Sequence, residues 1–514
     1  MVHRLDPAQV HANAVFLLDL VSGGTATRFF EHGLDEIQAA ASLRSIDPDI
    51  RRAVCDALLA YNTKLGAGQE TLDNLAQLGD ASTLCVLGGQ QAGFLGGPQF
   101  VAYKIASIIR LARRCARLLD RPVVPIFWLA TEDHDFQEIN RVRILDAGTA
   151  LRTASFDWEG EGQPIERLPV TPSIQAAQKK ALQWMEPLPS DVRALFAPEA
   201  GDDYGLWHAR IWSRAFSSSG LILVEPRVLR SLAGPFFAAV QARYTGIQED
   251  MGTRAATLEA AGYPVPLDPE SAGRLFTLDP AGRRIRSSPM PAQAPASTLD
   301  PVKYSPDAAL RPLLSDTLLP TLAHVVGPSE LAYHAMLQPI YQRLGIQQPI
   351  VAPRFSATLL QKTDLDLLEA FDLHLEDLIH PRQRIQDAVA AKVSPELRTA
   401  FAKVQAELAT AMRPLAAPLE ALEPGLVTRW RQTCDQVQHQ LERLEARVLR
   451  VELGHRGLSV RMLQRIAELV FPGQQLQERG LSFFHFAGSY GIQWIDDLLT
   501  LKTDDRFGHY VISL

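Results

Sequence analysis

Two stretches of this 514-residue chain gather side chains able to do chemistry. The first is Thr131-Glu132-Asp133-His134-Asp135, with Glu138 and Asn140 close behind. Carboxylates crowded around one imidazole attract its proton, so a raised histidine pKa is expected unless burial opposes it. Such a group could bind a substrate ammonium, hold a magnesium ion or act as general base on an amine. It could equally be a solvated loop whose acids favour the start of the next helix. The second stretch is Gly88-Gly89-Gln90-Gln91, running on through Gly93, Gly96 and Gly97 to Pro98. Glycines let a ligand approach the backbone, and a following helix start favours an anion, with Lys104 one turn in. The spacing matches neither the dinucleotide fingerprint nor the phosphate-loop pattern, so a plain structural turn fits as well. Gln90 and Gln91 add neutral amides suited to a hydroxyl or carboxylate.

These residues need a parallel sheet to position them. Leu84 to Leu87 is a short apolar run ending at Gly88-Gly89. From Phe100 to Leu119, Val101, Ile105, Ile108, Ala112, Cys115 and Leu119 fall on one helical stripe. Val123 to Ala130 is a second apolar run and stops at the acidic cluster. Strand, glycine loop, helix and strand make a βαβ unit, whose ligands sit at the carboxyl ends of the strands. Val142 to Leu145 reads as one more short strand before an Asp146-Ala147-Gly148 turn. The core resumes at Leu221 to Val224, at Leu319 to Val326 and at Pro349 to Ala352. Ser329 is placed to cap a helix from Glu330 to Leu344. Arg311, His324, Glu330, Tyr333 and Arg354 lie near these later strand ends and helix starts. Arg354 directly follows a strand and suits a phosphate or carboxylate, although any one such residue is commonly a surface ion-pair partner.

Composition fits an ordinary globular protein, with 46% hydrophobic and 21% charged residues. A net charge of -7 gives no reason to expect nucleic-acid binding. The 4 cysteines form no CxxC pair, so zinc and a disulfide framework are not expected. There is no secretory pattern at the N-terminus and no apolar run long enough to span a bilayer, so a cytoplasmic location is expected. In the last third, Leu397, Phe401, Val404, Leu408, Ala411 and Leu415 keep heptad spacing, and so do Val427, Trp430, Cys434, Val437, Leu441, Leu444, Val448 and Val451. Pro414, Pro418 and Pro424 separate the two arms, which predicts an antiparallel hairpin. Arms of that length are expected to meet a second chain; an ordinary two-helix layer on the core is the plainer alternative.

Five segments taken together resemble one family, the cysteine-adding ligases of bacillithiol biosynthesis. They are GGQQAGFLGGPQFVAYKIASII (88–109), VPIFWLATEDHDFQEIN (124–140), ALRPLLSDTLLPTLAHVVGPSELAYHAML (309–337), PIVAPRFSATLL (349–360) and LQERGLSFFHFAGSYGIQWIDDLL (476–499). The resemblance implies an α/β fold: a Rossmann-like parallel core broken by connecting insertions, with an α-helical antiparallel coiled coil that makes a homodimer. The expected segmentation is 1–150 for N-terminal helices and first core part, 151–203 and 241–305 for insertions, 204–240 and 306–364 for further core, 365–455 for the coiled coil and 456–514 for a helical tail.

The implied reaction joins the carboxyl of cysteine to the amine of glucosaminyl-malate, the last step of making bacillithiol. The implied cofactor is ATP or another nucleotide, with ADP a possible bound ligand and magnesium left open. His134, Asp133 and Asp135 are the expected catalytic group, with His134 as base on the attacking amine. Gly88, Gly89, Gly93, Gly97 and Lys104 are expected at the nucleotide. Gln90, Gln91, Glu132, Asn140, Arg311, Glu330, Tyr333 and Arg354 are expected at substrate, the two arginines meeting the malate carboxylates. The HIGH and KMSKS signatures of class I synthetases are absent, and Gly96-Gly97 stands before Pro98 where the family suggests Thr or Ser then Gly. An adenylate-forming enzyme on another small acid and a non-catalytic coiled-coil scaffold are the competing readings.

Overall fold

The computed structural model describes residues 2–146, 150–160, 162–287, 300–379, 383–501 and 507–514. It divides into two compact units, one of residues 2–358 with 477–512 and one of residues 359–476 with 513–514.

The first unit is built on five parallel strands: β1 (Leu84–Gln90), β2 (Val123–Leu129), β3 (Ile222–Val224), β4 (Thr321–Val326) and β5 (Ile350–Pro353). They lie side by side in the order β5-β4-β1-β2-β3. All four neighbouring pairs are parallel. Parallel strands are covered on both faces, which explains why β2, β3 and β4 are buried at every position. The order reverses between β1 and β4, and a crevice at the carboxyl edge opens at such a reversal.

The covering helices include α1 (Pro48–Leu65), α2 (Phe100–Leu119), α3 (Tyr204–Ala215), α4 (Leu310–Leu318) and α5 (Pro328–Leu344). Helix α1 starts where expected: the Asp47 carboxylate accepts from the Asp49 and Ile50 amides, and Pro48 needs no partner at the first position. Val54 and Leu58 of α1 join Cys85 and Leu87 of β1, Trp128 of β2 and Ile222 of β3 in one core. Each fully buried aliphatic side chain there contributes about 1.5–3 kcal/mol. Helix α2 buries the anticipated stripe, Val101, Ile105, Ile108, Ala112 and Cys115, and ends at Asp120 in a left-handed conformation.

Three expectations change. Strand β1 runs through Gly88 and Gly89 rather than stopping at them. Arg141–Leu145 is a strand, but it pairs antiparallel with Leu151–Ser155 outside the central sheet; residues 147–149 of the anticipated turn lie outside the described set. Helix α5 is capped by Gly327, whose amide donates to the Glu330 side chain, so Ser329 sits inside the helix. A separate three-stranded sheet places Leu275–Leu278 between Arg284–Arg286 and Tyr304–Pro306.

In the second unit, α6 (Pro395–Met412) and α7 (Pro424–His455) form the long helical pair. Gln405 donates to Glu445 and the Ser394 amide to Glu452, each at 3.0 Å, which fixes an antiparallel pairing. At the heptad positions, Val404, Leu444 and Val451 stay exposed. Among the described residues no helix is long and apolar enough to cross a membrane.

Candidate functional site

The carboxyl ends of the strands carry a nearly continuous line of polar side chains: Arg354 after β5, Gly327 to Glu330 after β4, Gln90 and Gln91 at β1, Glu132 to His134 after β2 and Glu225 after β3. In each case an apolar run ends and the first polar residues fall at the rim. A hydrogen bond from Gln91 to Asp133, 2.9 Å, ties the amide-rich stretch to the acidic one.

The acidic end is braced by two arginines. Arg311 of α4 reaches Glu132 at 2.6 Å and Asp133 at 3.0 Å. Arg284, on the strand that pairs antiparallel with Leu275–Leu278, reaches Asp133 at 3.1 Å. With the His134 amide at 2.8 Å, Asp133 therefore accepts four hydrogen bonds. Burial alone would push the Asp133 carboxyl up, but its contact with His134 and the charges of Arg311 and Arg284 hold it far below the usual carboxylate range. Glu132 is fully buried, and its Oε2 has no hydrogen-bond partner among the described residues. The expectation of a histidine ringed by acids alone is thus corrected, because two guanidinium groups share the cluster.

Arg284 also meets the His134 ring. Its Nη1 lies 3.1 Å from His134 Nδ1. The same Nδ1 lies 3.4 Å from Asp133 Oδ1, so it faces both a guanidinium, which only donates, and a carboxylate, which only accepts. The Arg284 guanidinium is itself buried, stacked 3.9 Å from the centroid of Phe276 and bonded to Ser305 at 3.1 Å. Asp135 is exposed, and Asn140 holds a buried Oδ1 without a partner among the described residues.

At the β1–β4 reversal Lys104 is 1% exposed. Its ammonium donates to Gly89 O and Gln90 Oε1 at 2.8 Å and to the Glu330 carboxylate at 2.7 and 2.9 Å. Burial lowers the Lys104 pKa and Glu330 opposes that fall. Tyr333 stands one turn after Glu330, stacked on His334 at 4.7 Å. Burial, reinforced by Glu330, raises its phenol.

The glycine loop is not an open cradle. A Cβ on Gly88 would lie 2.8 Å from Val325 O, one on Gly89 2.9 Å from Trp128 O and one on Gly93 2.5 Å from the Cα of Gly97. These glycines, Gly97 included, permit close packing of the chain on itself. The helix start is covered too: the Gln99 amide donates to Leu481 O at 2.9 Å and the Phe483 amide to Gly97 O at 2.9 Å. Arg354 is likewise engaged, paired in bidentate fashion with buried Glu478 at 2.8 and 3.1 Å. Burial would raise the Glu478 carboxyl, but Arg354 brings it down to about 2. So Gly88, Gly89, Gly93, Gly97, Lys104 and Arg354 are all engaged within the fold.

Sequence reasoning missed Arg284, Glu225 and Glu478. Glu225 ends β3, and that position was a usable signal; it bonds Tyr61 and Thr131 at 3.0 Å and pairs with Arg227 at 2.8 Å. Arg284 and Glu478 left no local signal, since each acts on a residue more than a hundred positions away in the chain. Among the described residues no group of three or more His, Cys, Asp or Glu could hold a metal ion.

Comparison with known proteins matches this chain to two domain families along its length. Residues 15–288 and 295–355 match the N-terminal Rossmann-like domain of bacillithiol biosynthesis BshC. Residues 357–514 match the C-terminal coiled-coil domain of the same proteins. Relatives named "Putative cysteine ligase BshC" include one from Koribacter versatilis, 29% identical over 482 residues, and one from Geobacillus thermodenitrificans, 28% identical over 496 residues. A third, from Symbiobacterium thermophilum, is 29% identical over 502 residues. In all three the alignment covers 90% of this chain and 90% of the relative.

Proposed function

The chain belongs to the bacillithiol biosynthesis BshC family, and from that membership we propose that it is a cysteine ligase closing the pathway, joining the cysteine carboxyl to the amine of glucosaminyl-malate. The observation that carries this reading is the extent of the match: one family's two domains account for nearly the whole chain, including every strand end that forms the rim.

Joining a carboxylate to an amine in water is uphill, so the carboxyl must be activated, and ATP is the activator proposed. The glycines, the helix start and Lys104 do not fit a phosphate cradle, because their space and donors are already taken.

The chain's own residues supply the rest. Asp133, fixed by Arg284, Arg311 and Gln91, holds the loop that carries His134. His134 Nε2–H donates to the oxygen that gains charge as the amine attacks the activated carbonyl. Asp135 and Glu138 are exposed carboxylates beside it that take up the proton released from the amine. The amides of Gln90 and Gln91 orient hydroxyl or carboxylate groups of the sugar acid. The exposed heptad residues of α6 and α7 support a homodimer through the coiled coil.

The test is incubation of the purified protein with cysteine, glucosaminyl-malate and ATP·Mg, followed by mass spectrometry of the thiol and chromatography of the nucleotide. Bacillithiol together with either ADP or AMP is expected, and His134→Ala should lose at least a hundredfold in rate while the protein stays folded. A cell lacking the protein that makes the finished thiol at normal levels would overturn the assignment.

A further inference from the structure

Four cations near the rim, Lys104, Arg284, Arg311 and Arg354, each have a carboxylate partner. Arg479 differs. It is exposed, and it makes no hydrogen bond or ion pair among the described residues. Its guanidinium carbon lies 5.5 Å from the centroid of Phe100, and that of Arg354 lies 5.0 Å from the same ring. Phe100 opens α2, one turn before Lys104. The backbone beside Arg479 is held in place: Glu478 is clamped by Arg354, and Leu481 to Phe483 is stitched to Gly97, Pro98 and Gln99. An exposed arginine fixed this way offers its fork with little ordering cost left.

Charge points the same way. Lys104, Arg354 and Arg479 face only Glu330 and Glu478, which leaves one positive charge over. Arg354 Nε is buried and has no partner among the described residues. The space beside it is kept by Gly327, where a Cβ would stand 3.9 Å from that Nε and 3.4 Å from Glu330 Oε2.

We propose that Arg479, set against Phe100 and Arg354 at the β1–β4 reversal, is the binding residue for an anionic group of a ligand, a carboxylate or a phosphate. This rests on the reading of the rim as the substrate site. Under that reading the group belongs either to the malate portion of the sugar acid or to the nucleotide.

Isothermal titration of the full-length protein with glucosaminyl-malate, with ATP and with inorganic phosphate separates the two sources. Arg479→Ala should weaken binding of at least one probe tenfold or more, and Arg479→Lys should recover only part of it because the planar fork is lost. Melting temperature should change little, since the Phe100 ring is the one internal partner of the side chain named above and an exposed contact of this kind contributes little. Weakening for the sugar acid alone assigns a carboxylate; weakening for ATP alone assigns a phosphate. Unchanged affinity for all three, within twofold, overturns the proposal. Phosphate binding lost in Arg479→Ala while wild type forms no thiol keeps this site and refutes the ligase reading. Thiol formation with KM values untouched in Arg479→Ala does the reverse.

Discussion

The two ends of the polar rim are built on different terms. At the β2–β3 end, Glu132, Asp133 and Glu225 are matched by Arg311, Arg284 and Arg227, so each of these carboxylates has a cation. At the β1–β4 end, Lys104–Glu330 and Arg354–Glu478 are sealed pairs, and Arg479 is left facing solvent. The first end reads as a brace that fixes one imidazole; the second carries one guanidinium more than its carboxylates match. A buried pair is therefore poor evidence of a binding role, and a cation beside it with no partner is better evidence.

The hardest break should come from Arg311→Ala, which strands the fully buried Glu132. A loss of about 3–5 kcal/mol in urea unfolding is expected, and a loss below about 1 kcal/mol would show that the β2–β3 end is not braced by this ion pair. Next is Lys104→Met, expected to cost roughly 3 kcal/mol for the same reason. Adding Glu330→Gln should restore much of that, because the stranded carboxylate disappears while an acceptor for the Gly327 amide remains. A double variant as unstable as the single one would contradict the pairing.

Glu225 gives a smaller, pH-dependent effect. Burial outweighs Arg227 and raises its pKa to about 7, against about 4.3 in an unfolded chain. The folded state then holds this proton more tightly, so its stabilising contribution is complete below about pH 4 and is lost as pH rises through about 7. Subtracting Glu225→Gln from wild type should expose a fall of order 3 kcal/mol across that window. A flat difference would place the carboxylate in a better-solvated site. Smallest for the rim is Leu444→Asp on α7: sedimentation should show loss of self-association, while ligand affinities stay within twofold.

Much of the frame was legible in the sequence because its signals are local. Buried parallel strands are apolar runs, α2 has a single stripe, and Asp47-Pro48 announces a helix start. The heptads of α6 and α7 are equally local. What failed depended on distance along the chain. Glycine spacing reports a permissive backbone, but not that Gly97 and Phe483 already fill the room. Arg354 looked open because Glu478 lies 124 residues further on. Arg141–Leu145 has the alternation of a strand, but alternation does not say which strand it will join.

The stitching of Leu481, Ser482 and Phe483 to Gly97, Pro98 and Gln99 bears on biosynthesis. The Rossmann strands leave the ribosome early, but the piece that covers α2 and supplies Glu478 and Arg479 follows the entire coiled coil. A nascent chain stopped anywhere before residue 477 has Arg354 without its counter-ion and the start of α2 uncovered. Synthesis must therefore pass residue 483 before Arg354 gains its counter-ion and the start of α2 its cover.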